Sequence, residues 1–205
     1  MQSAKRKPLL LPPFTERVRH LYPMLRNDGD SWSAPAKLFH WVMAALIFAQ
    51  IALGLVAVGW HVSPTKLNLF VWHKSTGMLI LALLALRLLW RLSRRAPELP
   101  WEMPLWERAG AHLSHFLLYA LMVALPLTGW VISSASNVPF RIFWQLPLPA
   151  ITAPDKAVAD AFATIHGSLV TLLAIVLFAH IGAALRHHYM KRDTVLSRML
   201  PWRTS

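Results

Sequence analysis

A chain of 205 residues that is 56% hydrophobic and only 15% charged is too apolar for an ordinary soluble domain. It has no cysteine, which excludes disulfides, thiolate zinc sites, iron–sulfur clusters and covalently attached c-type haem, and leaves histidine or oxygen as the ligands of any metal centre. A formal net charge of +12 raises nucleic acid as a partner, but no nucleic-acid motif accompanies it and its distribution follows a different logic.

Residues 1–37 are basic and proline-containing and lack the apolar core and small-residue cleavage site of a signal peptide. They read as a basic arm on the membrane surface. Four apolar runs follow, at about 38–59, 71–91, 112–135 and 163–188. Each is long enough to cross ~30 Å of hydrocarbon, which takes about 20 helical residues. Open strands are excluded from lipid, so residues 38–190 are expected to form an all-α, four-helix transmembrane bundle, with 191–205 a basic tail.

The positive charge marks one side of that bundle. Lys5, Arg6, Lys7, Arg17, Arg19, Arg26 and Lys37 precede the first run; Arg94, Arg95 and Arg108 lie between the second and third; Lys191, Arg192, Arg198 and Arg203 follow the fourth. The other two connections hold Lys66, then Arg141 and Lys156. The positive-inside rule puts both termini in the cytoplasm and the 60–70 and 136–162 loops outside a bacterial inner membrane. The basic side then faces anionic lipid headgroups.

Six histidines, His40, His73, His112, His115, His166 and His180, lie in or at the edges of the runs, and no Asp or Glu lies inside any run. Without carboxylates, a proton pump or cation transporter lacks its relays. Polar groups in hydrocarbon need partners, and an imidazole that ligates haem iron has one. His166 and His180 are 14 residues apart, which returns to within about 40° of the same helix face and spans ~21 Å of axis. The other runs repeat the interval: His40 with Gly54, His73 with Arg87, His115 with Gly129. Glycines at those depths let a planar group approach the backbone, and Arg87 suits a haem propionate. The runs thus mark two layers. By depth, His73 and His166 share the outer one; His180 in the inner layer has His40, His115 or His112 as its partner. Two imidazoles per iron leave no open position, so such haems carry electrons.

The stretches Leu38-Phe-His40-Trp, His73-Lys-Ser-Thr-Gly77, Ala111-His-Leu-Ser-His115, Leu125-Pro-Leu-Thr-Gly-Trp130, His166-Gly and His180 followed by His187-His-Tyr-x-Lys-Arg-Asp193 together resemble the bacterial cytochrome b561 family over about residues 36–200. The resemblance implies two haems b, the inner one on His40 and His180 and the outer one on His73 and His166. It also implies electron exchange with membrane quinone, ubiquinone as co-substrate, and superoxide oxidation as an activity found in the family. The arm at residues 1–35 is longer than the family leads one to expect.

Other residues have weaker roles. His187 lies about two turns beyond His180, and with His112 and His115 is a candidate pocket where quinone takes up protons; an interfacial polar role competes. Arg186 is expected near that pocket. Lys74 is placed to attract an anion or meet a propionate, or simply to snorkel. Pro126 is expected to kink the third span. The loop from 136 to 160, with Phe140, Phe143 and Trp144 among its prolines, is expected to fold back as a lid or to dock a partner. The leading expectation is an oxidoreductase linking superoxide outside to quinone; the alternative is an anchor and conduit for a separate periplasmic redox enzyme or carrier. A histidine-lined metal transporter, the third class, would be colourless.

Overall fold

The computed structural model describes residues 31–94, 96–97 and 103–201; most of the basic arm, with Lys5 to Arg26, lies outside them. Helix α1 runs Ala34–Gly59, α2 Pro64–Leu92, α3 Leu105–Ala135 and α4 Lys156–Arg186. All four are long and apolar enough to cross a membrane, and the chain is a multi-pass, all-α membrane bundle. Between α3 and α4 lie two short strands, β1 (Phe140–Ile142) and β2 (Leu146–Leu148). After α4 the chain makes a π-helical turn over His187–Lys191 and a 3-10 turn over Ser197–Met199.

The helices begin four to seven residues before the apolar runs do, and for α2 and α4 a side-chain cap sets the start. The Ser63 hydroxyl accepts from the Lys66 N–H and opens α2 ahead of Pro64. The Asp155 carboxylate accepts from the Ala157 and Val158 N–H groups and opens α4. At the end of α1, Lys66 Nζ donates to the Val58 and Trp60 carbonyls, 3.2 and 2.8 Å away, satisfying acceptors that the helix terminus leaves open. At 26 to 31 residues and 1.5 Å per residue, the helices measure about 39–47 Å. They therefore pass through the ~30 Å hydrocarbon layer into the headgroups.

Packing runs chiefly between α1 and α2 and between α3 and α4, with a lesser α2–α3 contact. The buried core is small and sits at mid-depth. Met43, Ile80, Leu84 and Met122 form one cluster; Leu121, Leu173 and Val176 form another. Along α2 the buried Ile80 and Leu84 fall between His73 and Arg87, and along α4 Leu173 and Val176 fall between His166 and His180. The outward faces stay apolar, with Phe48, Leu55, Leu86, Phe116, Ile175 and Phe178 exposed. In lipid, apolar exposure carries no penalty and association depends on close packing and polar glue. The hydroxyls of Ser133 and Ser134 are buried and return to the carbonyls of Gly129 and Trp130 at 3.0 Å each.

The loop after α3 does fold back, as a β-hairpin that the sequence did not announce. β1 and β2 pair antiparallel, Phe140 against Leu148 and Ile142 against Leu146. The turn closes through the Gln145 N–H to the Ile142 carbonyl at 3.0 Å. Its central residues, Phe143 and Trp144, both have positive φ, 46° and 64°. A turn of this hand usually takes Asn-Gly, and bulky residues there cost on the order of 1–3 kcal/mol each. Tertiary contacts offset the cost: both rings meet Trp72 edge-on, with centroids 5.6 and 5.3 Å away. The Phe143 N–H donates to the Ser75 hydroxyl at 2.8 Å, and Ser75 is fully buried. Ser75→Ala leaves that N–H without its acceptor, and should lower stability by about 1–3 kcal/mol. Thermal unfolding in detergent followed by circular dichroism measures it, with helical content unchanged before the transition.

Candidate functional site

The termini of the bundle share one end, the termini side; the β-hairpin lies at the other, the hairpin side. On the termini side, α1 and α4 bring His40 and His180 to a ring-centroid distance of 6.4 Å, with planes 56° apart. On the hairpin side, α2 and α4 bring His73 and His166 to 6.4 Å, with planes 72° apart. A metal–imidazole bond is about 2.0–2.1 Å, and the ring centre lies roughly 1.1 Å beyond the nitrogen, so two axial imidazoles on one ion have centroids about 6.3 Å apart. Both pairs match. His115 lies closer to His180, at 5.2 Å, which is short for a shared ion. Among the described residues, no three His, Asp or Glu side chains gather into a metal site of their own. A pair of imidazoles suits a group that brings its own in-plane ligands, as a porphyrin does.

Each pair has its own surroundings. Arg87 Nη2 lies 3.3 Å from His40 Nδ1, and Nη1 lies 3.9 Å from Met43 Sδ. The Arg87 guanidinium also sits 5.7 Å from the Tyr119 ring, and Arg91 donates to the Tyr119 hydroxyl at 3.3 Å. On the hairpin side, His166 Nδ1 is 2.8 Å from Thr128 Oγ1. Gln50 Nε2 donates to the His73 carbonyl at 2.7 Å, tying α1 to α2 at this level. Gly54 and Gly129 stand behind the rings: a Cβ at Gly54 would lie 2.8 Å from His73 Cε1, and one at Gly129 3.7 Å from His166 Cε1. What approaches the Gly54 backbone is thus an imidazole edge. Lys74, half-buried, has its ammonium 5.8 Å from the centre of the Phe140 ring in the hairpin.

The three other histidines do not form one pocket. His115 faces His180, and His112 is exposed. His187 is buried in a separate cluster of charged groups between the start of α3 and the turn after α4. Its Nδ1 meets the Asp193 carboxylate in a short contact, and its Nε2 lies 3.6 Å from Glu107 Oε2. Glu107 accepts from Arg186 at 2.9 Å and from Lys191 in a second short contact. Arg186 is therefore committed to Glu107. Hydropathy starts the third run at residue 112 and so leaves Glu107 outside it; the helix starts at Leu105 and buries that side chain. Asp193 was within a motif, but only the turn through Arg192, with φ at 55°, brings it back onto His187.

With this geometry in view, the comparisons with known proteins are specific. The profile of the family described as prokaryotic cytochrome b561 matches residues 31–202. The chain belongs to the prokaryotic cytochrome b561 family. It is 32% identical over 181 residues to "Cytochrome b561 homolog 2" of Escherichia coli K12, covering 85% of this chain and 93% of that one. It is 29% identical over 167 residues to "Cytochrome b561 homolog 1" of the same organism, covering 80% and 93%. It is 32% identical over 130 residues to "Probable superoxide oxidase CybB" of Yersinia pestis, covering 63% and 73%. Family membership makes the chain a membrane electron-transfer protein of the oxidoreductase class with haem b as cofactor.

The two α1 glycines provide a controlled comparison. Gly54→Ala drives a methyl against the His73 ring and should destabilise by about 1–3 kcal/mol. Gly59→Ala meets nothing within 4 Å and should be neutral or slightly stabilising. Thermal unfolding of both variants, with haem content measured beforehand, checks this; equal behaviour contradicts the close contact at Gly54.

Proposed function

We propose that the chain binds two haems b, one between His40 and His180 and one between His73 and His166, and carries electrons from an oxidisable reactant on the hairpin side to ubiquinone. The observation that carries this reading is the equal 6.4 Å spacing of the two imidazole pairs, set 14 residues apart on α4, or ~21 Å along its axis. Each haem, when bound, would supply reversible one-electron chemistry. The residues of the chain hold, orient and charge-match it. Arg87, now 3.3 Å from His40 Nδ1, would be available to a haem carboxylate at the termini side, and turning to it would release His40 Nδ1. Lys74 is the cation nearest the second pair and gives an anionic reactant a favourable approach.

The termini side is assigned to the cytoplasm of a bacterial inner membrane. Arg94, Arg108, Lys191, Arg192 and Arg198 crowd that end, while Lys66, Lys74, Arg141 and Lys156 are spread over the other. Superoxide is the proposed reactant, supported by the similarity to the probable superoxide oxidase and by the positive charge of Lys74. Quinone is proposed to react on the cytoplasmic side, where reduction takes up protons. His187, held between Asp193 and Glu107, is the proposed donor, since it is the buried imidazole on that side whose two nitrogens both face carboxylates. His112 and His115 move to secondary candidates, because neither touches that network. The anchor-and-conduit reading remains the competitor: it requires a separate periplasmic partner where the leading reading requires none.

Pyridine quantitation should give close to two acid-extractable haems per chain. His73→Ala and His166→Ala should remove one and the same haem, and His40→Ala and His180→Ala the other, as reduced-minus-oxidised spectra will show. Persistence of a bis-histidine spectrum at the termini side in His40→Ala, with loss in His115→Ala, would reverse the pairing.

The purified, haem-loaded protein should consume superoxide from an enzymatic generator in a strictly quinone-dependent way, with no added partner. Absence of turnover despite full haem loading would favour the conduit reading. His187→Ala should keep both haems and the rate of reduction by superoxide, yet reoxidise several-fold more slowly with quinone. Unchanged reoxidation removes His187 from the proton path.

A further inference from the structure

Thr128 sits one residue before Gly129 on α3, buried, with its side chain toward α4. Its hydroxyl has one hydrogen, and Oγ1 lies 2.9 Å from the Leu125 carbonyl, which can only accept. The hydrogen is therefore committed along α3. Toward His166 Nδ1, 2.8 Å away, the oxygen is left to accept, so Nδ1 must carry the ring proton. A neutral imidazole protonated at Nδ1 has its lone pair on Nε2. The turn of α3 from Leu125 to Thr128 thus faces His166 with two oxygens, the Leu125 carbonyl and the Thr128 hydroxyl, and the hydroxyl at 2.8 Å from Nδ1 sets which nitrogen of His166 is available as a ligand.

The other imidazoles are treated differently. His40 Nδ1 meets a guanidinium, which can only donate. His73 Nδ1 is buried with no hydrogen-bond partner among the described residues. Of the two histidines of the hairpin-side pair, His166 alone has a side-chain acceptor on its Nδ1 among the described residues. An imidazole N–H that donates to an oxygen gains electron density at its opposite nitrogen and becomes a more basic ligand. A more basic ligand favours the oxidised metal.

From this we infer that Thr128 is a positioning residue for His166, fixing its tautomer and lowering the reduction potential of the haem on the hairpin side relative to what the bare pair of imidazoles would set. This rests on the reading of His166 as an axial ligand. Pro126 and Thr128 then have related places in one short motif. Proline lacks an N–H and leaves the Met122 carbonyl, four residues earlier, without its helical donor, while the threonine hydroxyl donates to the Leu125 carbonyl.

The test is redox potentiometry of the full-length, haem-loaded protein in detergent, with electron paramagnetic resonance of the two oxidised low-spin signals. Thr128→Val keeps the shape and removes the acceptor. The hairpin-side midpoint should move upward and its resonance should shift, while the termini-side midpoint and resonance stay in place. Thr128→Ser keeps the hydroxyl and should restore the original values. If Thr128→Val loses the hairpin-side haem, retention of that haem in Thr128→Ser also supports a hydroxyl that orients His166. An unmoved hairpin-side midpoint in a fully loaded Thr128→Val protein, equal shifts in both midpoints, or loss of haem from the valine and serine variants alike, overturns the inference. His166→Ala separates the two levels: retention of both haems in that variant refutes the axial assignment itself, whereas loss of one leaves the assignment standing whatever Thr128 does.

Discussion

An imidazole inside a membrane needs a partner for its nitrogens, because neither water nor the lipid chains supply one. Four helices here carry histidines into that environment, and the rest of the architecture follows from where those side chains meet. α4 presents two of them on one face, at two depths. α1 reaches the first depth and α2 the second, so both must face α4. Glycine at 54 leaves room for the His73 ring, where a Cβ would lie only 2.8 Å from Cε1. The apolar core is displaced to the middle, between the two imidazole levels, where Leu84, Met122 and Val176 pack.

The two ends of the bundle solve different problems. On the termini side, α3 and α4 are clasped by Glu107, which gathers Arg186, Lys191 and His187. With both nitrogens of its ring near carboxylates, His187 joins this clasp to the returning tail at Asp193. The tail then reaches α1, where Trp41 Nε1 donates to the Met199 carbonyl at 2.8 Å, one residue from His40. A charged interface close to water can hold such a network; the membrane interior cannot. The hairpin side uses aromatic packing instead, with Trp72, Phe143 and Trp144 set against each other and a buried serine as the anchor. Trp and Tyr suit that depth because they are apolar in body and polar at one edge.

Much of this is legible from residues alone. Apolar runs of 20 or more residues define spans because the bilayer sets a length, and the 14-residue interval defines layers because the helix has a fixed pitch. The family motifs imply His40 rather than His115 as the partner of His180; the His40 and His115 rings lie 6.4 and 5.2 Å from that of His180. Hydropathy alone places the helix starts too late. Hydropathy falls off near the headgroups, whereas Ser63 and Asp155 cap backbone N–H groups well outside the apolar stretch. Glu107 falls outside the third apolar run because that run begins only at residue 112, while α3 begins at Leu105.

The sequence by itself determined the number of spans, the two depths and the chemistry available at each, since these depend on local periodicity and on the thickness of a membrane. Tertiary structure alone decided which nitrogen meets which neighbour. Thr128 on His166, Arg87 on His40, Asp193 on His187 and Phe143 on Ser75 pair residues 6 to 68 positions apart. Nothing in a one-dimensional pattern says which hydrogen a hydroxyl has already given away, or that a turn with two bulky residues at positive φ will be held by a tryptophan from another helix. Those outcomes depend on helix rotation and approach in three dimensions.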